Sequence, residues 1–554
     1  MTAPGGPFAV QEQLVGEIPM RVFDRRPHTI RELAEDMAQF GDRINTVYEQ
    51  ERVTYAEQHA TVAGLARLLV EDFGLRKGDR VAIAMRNFPE WVPWLLATAS
   101  VGLIVVPLNA WWTAHELQYG LEVSQPRMIV TDSERTALVM PLLDSLGGPQ
   151  IIEVRGQTPG VMSWEQVQAR LDPAATFPEV SVNPDDPATM MFTSGTTGRP
   201  KAAVGTHRNH TTNLLNMLLL QAIAVMMANG GTMPEPDPEA PQPGTLNTFA
   251  LFHIAGMSAM LASALVGAKL GLMRKWDRAE AREMMEREGF SGFAGVPTVA
   301  RQFVDDCVEA GLTGALASVA MGGAPIPPDL VTKIDQSSQQ LVAASNGYGL
   351  TETTSAVVGN LGADYAQHPD SIGVAAPGAD IRFVDPGSGE DVPEGEIGEL
   401  WVRGPNVVTG YWQNPEATAA AFTDGWFHTG DLGYAADGWL YVVDRIKDMV
   451  IRGGENVYCA EVEAVLFEHP AIEDVAVIGA PHESLGEQVV AIVQLRDGVT
   501  ADEVLTQSIR AHTRERLAAF KVPEQIVFWP EPLPRTQTGK VLKRDLRDSV
   551  SQSL

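Results

Sequence analysis

Short runs of aliphatic and β-branched residues alternate with helical patterns in the N-terminal half of the chain, and this alternation constrains the fold more than any other feature. The runs occupy residues 80–85, 103–108, 127–132, 245–252 and 269–273. Strands that are separated by helices pair most readily in parallel, with helices covering both faces of the sheet. We therefore predict an α/β fold whose large N-terminal domain contains parallel sheets.

The character of the sequence changes twice toward the C-terminus. From about residue 375, closely spaced glycines, prolines and alternating strands predict an antiparallel β subdomain. After residues 444–448, helical and strand patterns predict a separate α+β unit of about 100 residues, a common domain size. Since 554 residues exceed what one hydrophobic core usually supports, we predict a large domain, residues 1–446, and a small C-terminal domain, residues 447–554.

Charge and cysteine content exclude several classes of protein. The chain has 41 basic and 70 acidic residues, a formal net charge of −29, whereas binding to nucleic acid or to anionic membranes needs a basic surface. The two cysteines, Cys307 and Cys459, are far apart and lack metal-ligand spacing, so neither a disulfide framework nor a zinc site is predicted. We expect a cytoplasmic protein with no nucleic-acid partner, and leave a homodimer open.

One stretch imitates a membrane span. Residues 91–108 are uncharged and long enough to be scored as a transmembrane helix. Two prolines and a glycine interrupt them, and a helix over residues 89–101 followed by a buried strand over residues 103–106 explains the same hydrophobicity inside an α/β core. We therefore expect no integral membrane segment here.

The strongest local signal is the segment TSGTTGRPK, which follows an apolar run. Hydroxyls and glycines at this density form a loop whose backbone amides and OH groups can wrap a polyphosphate, and the lysine adds positive charge. The segment is not a P-loop, because no Ser or Thr follows the lysine. By itself it could also be an ordinary Ser/Thr/Gly turn. The candidate phosphate-binding residues are Thr193, Ser194, Gly195, Thr196, Thr197, Gly198 and Lys201.

Six segments follow one another in a fixed order along nearly the whole chain. They are TSGTTGRPKAAV, GGAP (322–325), NGYGLTE (346–352), GWFHTGD (425–431), DRIKDMVIRGGENVYCAEVE (444–463) and PRTQTGK (534–540). In this order they resemble the motifs of the adenylate-forming (AMP-binding) superfamily, which includes acyl-CoA synthetases, peptide-synthetase adenylation domains and beetle luciferases. The resemblance is to the acyl-CoA synthetase and fatty-acid–CoA ligase branch, and it implies that the small C-terminal domain is mobile.

This resemblance implies a nucleotide site built from several motifs. Tyr348 would stack on adenine, Thr351 would hydrogen-bond the α-phosphate, and Glu352 would supply the hard oxygen ligand that Mg²⁺ prefers. Asp431 and Arg445 match the residues that hold the ribose hydroxyls. The other residues implied on the nucleotide side are Gly323, Ala324, Pro325, Asn346, Gly347 and Gly349.

The resemblance also implies two half-reactions in one cleft. Lys540 matches the lysine that bridges the substrate carboxylate and the α-phosphate during adenylation, and Lys447 occupies the hinge between the two domains. Rotation about this hinge would withdraw Lys540 and let a thiol approach past Gly453 and Gly454, where glycine permits close backbone contact. ATP, Mg²⁺ and CoA are therefore the implied cofactor and co-substrates.

The acyl side of the resemblance centres on His253, in ALFHIAG, which matches the histidine beside the acyl carboxylate in the family's PLFH motif. Residues 254–258, 294–297 and 321–325, with Gly322 among the last, complete the implied pocket. None of these residues is an acid, so an ammonium group on the substrate would be left unpaired. We predict a neutral-bodied monocarboxylate, with a medium- or long-chain fatty acid first and an aryl or alicyclic acid second.

Three positions depart from the family pattern. In ALFH (250–253), Ala250 stands where the PLFH motif has proline. Asn346 stands where relatives often have glutamine, which puts its adenine contact in question. Cys459 stands where relatives commonly have proline. No basic residue adjoins Cys459 in sequence to stabilise a thiolate, so we interpret it as a packing residue.

Two other functions stay open from the sequence. The adenylate could pass to an amine or to a carrier-protein thiol instead of CoA. A non-catalytic nucleotide-binding regulator could share the fold, although the intact set of Glu352, Asp431, Arg445 and Lys540 opposes this interpretation.

Overall fold

The computed structural model describes residues 1–193, 200–235, 237, 239–311, 316–324, 326, 328–337, 343–482, 484–536 and 540–551. The chain divides into two compact units. The first comprises residues 1–381 and 402–427, and the second comprises residues 382–401 and 428–554. Each unit buries hydrophobic clusters of its own.

The first unit opens with an antiparallel ribbon of β1 (Val10–Val15) and β2 (Ile18–Phe23). Its first large sheet is built from β5 (Arg80–Ala84), β6 (Ile104–Pro107), β7 (Met128–Asp132), β8 (Gln150–Val154), β9 (Met162–Ser163), β10 (Pro187–Thr193) and β11 (Lys201–Thr206). The strand order is β11-β10-β6-β5-β7-β8-β9. The strands pair in parallel except at the edge, where β11 runs antiparallel to β10.

The second large sheet of this unit has a parallel centre and antiparallel edges. It is built from β3 (Ile44–Tyr48), β4 (Glu51–Thr54), β12 (Gly244–Asn247), β13 (Lys269–Leu272), β14 (Gly292–Gly295), β15 (Ser318–Gly322), β16 (Ala343–Leu350), β17 (Ser355–Leu361) and β18 (Val374–Ala375). The order is β18-β17-β16-β15-β14-β12-β13-β3-β4, and the strands from β16 to β3 are parallel. The predicted α/β class with parallel sheets is confirmed.

Helices connect these strands. They are α1 (Ile30–Asp36), α2 (Tyr55–Glu71), α3 (Trp91–Ser100), α4 (Ala114–Ser124), α5 (Ser133–Val139), α6 (Trp164–Gln168), α7 (His207–Ala228), α8 (Ile254–Val266), α9 (Arg278–Glu288), α10 (Pro297–Glu309), α11 (Pro328–Ser337), α12 (Gly362–Gln367) and α13 (Pro415–Ala421). The stretch that imitates a membrane span forms α3 and β6, and every residue of α3 is buried, as predicted. Within the described part of the chain, α7 is the helix long and apolar enough to cross a membrane, with a mean hydropathy of 1.5 and half of its apolar window buried.

The C-terminal region contains antiparallel strands, as predicted. Before residue 446 they are β19 (Asp380–Val384), β20 (Gly398–Arg403), β21 (Phe422–Thr423), β22 (Trp426–Ala436) and β23 (Trp439–Arg445), of which the last two form a hairpin. The last sheet contains β24 (Val450–Arg452), β25 (Glu455–Val457), β26 (Ile472–His482), β27 (Gly486–Leu495) and β28 (Gln525–Phe528), with helices α14 (Cys459–Phe467), α15 (Glu503–Arg514) and α16 (Lys543–Ser551). Since α14 contacts β23, the hairpin belongs to the second compact unit. The division at residue 446 and the hinge at Lys447 stay predictions.

Buried charges tie α16 to the rest of the second unit. The Lys543 ammonium lies 2.8 Å from Oε1 of Glu463 on α14, and the N–H of Val477 donates to the same oxygen at 2.7 Å. One turn further along α16, Arg547 pairs with Asp448 at 2.9 Å. These contacts anchor α16 both to α14 and to the segment that follows β23.

Lys543 keeps its charge in this setting. Burial works to lower its pKa, but the carboxylates of Glu463 and Asp444 outweigh burial and raise that pKa above its ordinary value. Because Lys540 precedes Lys543 by one short turn of chain, the anchored helix also fixes the C-terminal end of the segment that carries Lys540.

Candidate active site

Glu352 lies in a tight turn at the end of β16. The turn is a single turn of 3-10 helix, and Glu352 is only 8% exposed. The Thr353 hydroxyl accepts a hydrogen bond from the N–H of Leu350 and donates one to the carbonyl of Ser355, both at 2.8 Å. Thr354 and Ser355 adopt φ angles of 53° and 81°, in the left-handed region that a β-branched residue such as threonine rarely enters. The contacts around this turn therefore offset the free-energy cost of its backbone conformation.

The hydroxyl of Tyr411 donates a hydrogen bond to the Glu352 carboxylate. The phenol oxygen lies 2.7 Å from Oε1 of Glu352, and Tyr411 is 9% exposed. Burial, together with the neighbouring Glu352, raises the pKa of Tyr411 well above its ordinary value, so the hydroxyl keeps its proton. The bond therefore orients one carboxylate oxygen with a neutral donor. Tyr411 lies outside the six motifs, and its one signal in the sequence is an aromatic residue with a polar tip among strand residues.

Thr193 and Lys201 are the described ends of the predicted phosphate loop. Thr193 ends β10, Lys201 begins β11, and the two residues face each other in antiparallel register. The Lys201 ammonium lies 4.9 Å from the centroid of the Tyr411 ring, a cation–π distance. Ser194, Gly195, Thr196, Thr197 and Gly198 lie outside the described residues. Tyr411 therefore contacts both Lys201, at the end of the loop, and Glu352.

The other predicted nucleotide residues of the first unit cluster where parallel strands end. Gly322, at the end of β15, is the register partner of Gly347 on β16, and Asn346 is the partner of Met321. This is the edge at which α/β sheets bind ligands. Glycine is needed at position 349 for a steric reason, because a Cβ there would lie 1.9 Å from the carbonyl oxygen of Ser355. Tyr348 and Thr351 are half-buried on the same strand and turn, Gly323 and Ala324 follow β15, and Pro325 lies outside the described residues.

His253 occupies the position directly before the first residue of α8 in the first unit. Its ring centroid lies 4.6 Å from that of Phe252, and the residue is half-buried. Residues 254–258 form the first turns of this helix. The histidine thus stands at a helix start rather than inside a hydrophobic core.

Asp431 and Arg445 face each other across the β22–β23 hairpin of the second unit. They are register partners, and Nε of Arg445 lies 2.9 Å from Oδ1 of Asp431, which is 3% exposed. The structure thus brings the predicted pair together as an ion pair. Their role toward ribose hydroxyls stays a prediction.

The residues predicted to act in thioester formation also belong to the second unit. Gly453 and Gly454 join β24 to β25 with φ angles of 62° and 91°, which explains two consecutive glycines. Lys447 is exposed in the segment after β23. The N–H of Lys540 donates to the Thr536 hydroxyl at 3.1 Å, and the Lys540 carbonyl accepts from the N–H of Thr536 at 2.7 Å.

Cys459 holds both ends of the segment that contains Lys447. Its N–H donates to the carboxylate of Asp444, and its thiol donates to the carbonyl of Asp448 at 3.0 Å. Burial raises the pKa of this thiol, so it does not form a reactive thiolate. A proline at this position would have no N–H to donate to the Asp444 carboxylate.

Two family models match this chain. The model for "AMP-binding enzyme" matches residues 33–412, and the model for "AMP-binding enzyme C-terminal domain" matches residues 461–540. The chain belongs to the AMP-binding enzyme family. The predicted resemblance to adenylate-forming enzymes is thereby confirmed.

Curated relatives extend over most of the chain. It is 36% identical over 501 residues to a feruloyl-CoA synthase of Amycolatopsis sp., covering 89% of this chain and 93% of the relative. It is 35% identical over 502 residues to a 2-succinylbenzoate–CoA ligase of Geobacillus kaustophilus, covering 90% and 94%. It is 31% identical over 558 residues to a long-chain-fatty-acid–CoA ligase of Bacillus subtilis, covering 94% of each chain.

Solved structures give the same fold. An o-succinylbenzoate CoA synthetase from Bacillus subtilis, in complex with its acyl-adenylate intermediate, has a TM-score of 0.76 and 29% identity, covering 93% of this chain and 98% of that chain. ATP-bound MatB from Rhodopseudomonas palustris has a TM-score of 0.79 and 28% identity, covering 94% and 99%. This AMP-binding enzyme is an AMP-forming acyl-CoA synthetase that joins an acid to CoA through an acyl-adenylate and uses ATP and Mg²⁺.

The Glu352 carboxylate of this AMP-binding enzyme fits a magnesium ligand. Mg²⁺ in nucleotide sites is bound by one or two carboxylates together with phosphate oxygens. Glu352 offers one such group, buried and oriented by the Tyr411 hydroxyl. When bound, Mg²⁺ neutralises charge on the phosphates of ATP.

We predict that Glu352→Gln loses most acid-dependent pyrophosphate release, because a neutral amide is a poorer ligand for a hard dication. The matched control is Glu153→Gln, since Glu153 is also buried but binds the N–H and hydroxyl of Thr158, at 2.6 and 2.8 Å, in the first sheet. The measurement is initial pyrophosphate release over a Mg²⁺ titration. Release by Glu352→Gln at the rate of the control would remove Glu352 from the metal role.

Proposed function

We propose that this enzyme activates a neutral-bodied monocarboxylate that carries an aromatic ring. The single observation that carries the aromatic ring in this proposal is the order of identities, 36% and 35% to relatives named for feruloyl and 2-succinylbenzoate substrates against 31% to one named for long-chain fatty acids. The pocket positions contain no acid, which supports a substrate without an ammonium group.

In this proposal the two half-reactions use different residues. During adenylation, Thr351, Glu352 and Lys540 act on the phosphate side, while His253 lies beside the carboxylate of the acid. Asp431 and Arg445 hold the ribose. Rotation of the C-terminal domain at Lys447 then withdraws Lys540, and the CoA thiol enters past Gly453 and Gly454.

Two alternatives are kept as second candidates. A medium- or long-chain fatty acid is supported by the full-length similarity to a long-chain-fatty-acid–CoA ligase. An amine as a further acceptor beside CoA is supported by the fold of an amide bond synthetase from Marinactinospora thermotolerans, which this chain matches with a TM-score of 0.79 at 25% identity. We expect a cytoplasmic enzyme because both cysteines are free thiols. A homodimer is the assembly to be tested against a monomer.

A screen of carboxylic acids tests the substrate proposal. We predict the highest kcat/KM for pyrophosphate release with hydroxycinnamic or benzoic acids, and CoA thioester formation when CoA is present. A matched pair, 3-phenylpropanoate and phenylalanine, differs in the ammonium group, and we expect the acid without the ammonium group to be preferred by at least ~100-fold. Higher kcat/KM with octanoate or palmitate than with every aryl acid would contradict the aromatic proposal. Amide but no thioester would contradict CoA as acceptor.

We predict that Lys540→Ala lowers acid-dependent pyrophosphate release by about 10²- to 10³-fold, because one preorganised electrostatic contact to the transition state is lost. Supplying chemically prepared acyl-adenylate bypasses this step, so thioester formation should then proceed near the parent rate. The control is Lys521→Ala, since Lys521 pairs with Glu461 in the same unit at 2.6 Å and is not assigned to the reaction. Equal impairment with preformed adenylate would contradict the assignment of Lys540 to the first step.

A further inference from the structure

A short segment of the first unit, residues 406–412, contacts the Glu352 turn at three points. The side-chain amide of Asn406 donates to the carbonyl of Thr353 at 2.9 Å, and the N–H of Val408 donates to the carbonyl of Glu352 at 2.9 Å. The Tyr411 hydroxyl adds the third contact, to the Glu352 carboxylate at 2.7 Å. Both the backbone and the side chain of Glu352 are therefore held by this segment.

The same segment pairs with the strand that leaves the predicted phosphate loop. Tyr411 forms an antiparallel bridge with Ala203 on β11. The N–H of Val204 donates to the carbonyl of Gly410 at 2.9 Å, and the N–H of Trp412 donates to the carbonyl of Ala202 at 2.7 Å. Residues 406–412 thus lie beside β11, at the edge of the first sheet, and also contact the turn at the end of β16 in the second.

Helix α7 also contacts this segment. The side-chain amide of Asn209, on α7, donates to the carbonyls of Pro405 and Val407 at 2.8 and 2.9 Å. Asn209 is 3% exposed and Asn406 is fully buried. Because buried amides lose free energy when they lack partners, these bonds favour one position of the segment.

We propose that residues 406–412 form a bracket that sets Glu352 at a fixed distance from β11, the strand that follows the phosphate loop, and that Tyr411 is a positioning residue for the Glu352 carboxylate. The inference rests on the proposed role of Glu352 as a metal ligand. Tyr411 acts through Glu352: its hydroxyl engages Oε1 and fixes the plane of the carboxylate, while its ring lies against Lys201. Residues that orient a metal ligand in this way typically contribute about 10- to 100-fold to metal affinity.

The bracket is tested by metal binding to the full-length enzyme, with Mn²⁺ as the probe for Mg²⁺. Binding is measured by electron paramagnetic resonance in the presence of a non-hydrolysable ATP analogue. Tyr411→Phe removes one oxygen and keeps the ring. We expect its Mn²⁺ affinity to fall about 10- to 100-fold, with the KM for the carboxylic acid unchanged. An Mn²⁺ affinity within twofold of the parent would overturn the inference.

Two controls separate positioning from general damage. Tyr55→Phe removes another buried tyrosine hydroxyl, which lies 2.8 Å from the carbonyls of Ser263 and Ala268, and it should keep the parent Mn²⁺ affinity. Loss of affinity in Tyr55→Phe equal to that in Tyr411→Phe would count against a specific role. If Tyr411→Phe does not fold, Asn406→Ser serves in its place, because it removes a different contact of the bracket. We expect Asn406→Ser to weaken Mn²⁺ binding as well. Unchanged Mn²⁺ binding in Asn406→Ser would overturn the bracket.

Glu352→Gln in the same assay separates this inference from the assignment on which it rests. Parent-like Mn²⁺ affinity in Glu352→Gln would overturn the metal role of Glu352 itself. Loss of affinity in Glu352→Gln with parent-like affinity in Tyr411→Phe would leave that role standing and overturn the bracket.

Discussion

The hydrogen bond between Tyr411 and Glu352 is the contact on which the nucleotide side of the first unit depends. The two residues lie 59 positions apart in the chain and belong to different layers of the unit. Tyr411 sits on a segment that extends the edge of the first sheet, whereas Glu352 follows a strand of the second sheet. A bond between them therefore fixes two sheets relative to each other at the point where the predicted phosphate and metal ligands meet.

In the second unit, ion pairs hold the helix that follows Lys540. Lys540 ends a polar segment of the sequence, and the helix that follows is fixed by the buried pair of Lys543 and Glu463 and by Arg547 with Asp448. Removing one member of a buried ion pair typically costs about 3–5 kcal/mol, because the partner is left charged and unpaired. Cys459 binds both ends of the segment around Lys447, so the predicted hinge is also held by named contacts. Such contacts must be exchanged if the hinge rotates.

Local patterns in the sequence predicted much of the fold but not its long-range contacts. Alternating apolar runs predicted the parallel sheets, and the interrupted apolar stretch correctly predicted α3 followed by β6. The predicted strand over residues 245–252 is shorter, ending at Asn247, because Phe249 turns away and its carbonyl accepts from Asn87. Motif order predicted Glu352 and Lys201 as site residues, whereas Tyr411 and Lys543 act through partners distant in sequence. No periodic pattern in the sequence predicts a contact between residues so far apart. The pocket positions carry small or apolar residues, which do not identify the acid, so experiment must identify it.

A double-mutant cycle on Tyr411 and Glu352 tests the central claim, that Tyr411 acts through the Glu352 carboxylate. Mn²⁺ affinity in the presence of the ATP analogue is measured for the parent, Tyr411→Phe, Glu352→Gln and the double variant. If the tyrosine only positions the carboxylate, its removal has no further effect once the carboxylate has become an amide. The account therefore predicts that the double variant binds Mn²⁺ as weakly as Glu352→Gln alone. Losses that multiply in the double variant would show that the two residues act independently and would contradict the account.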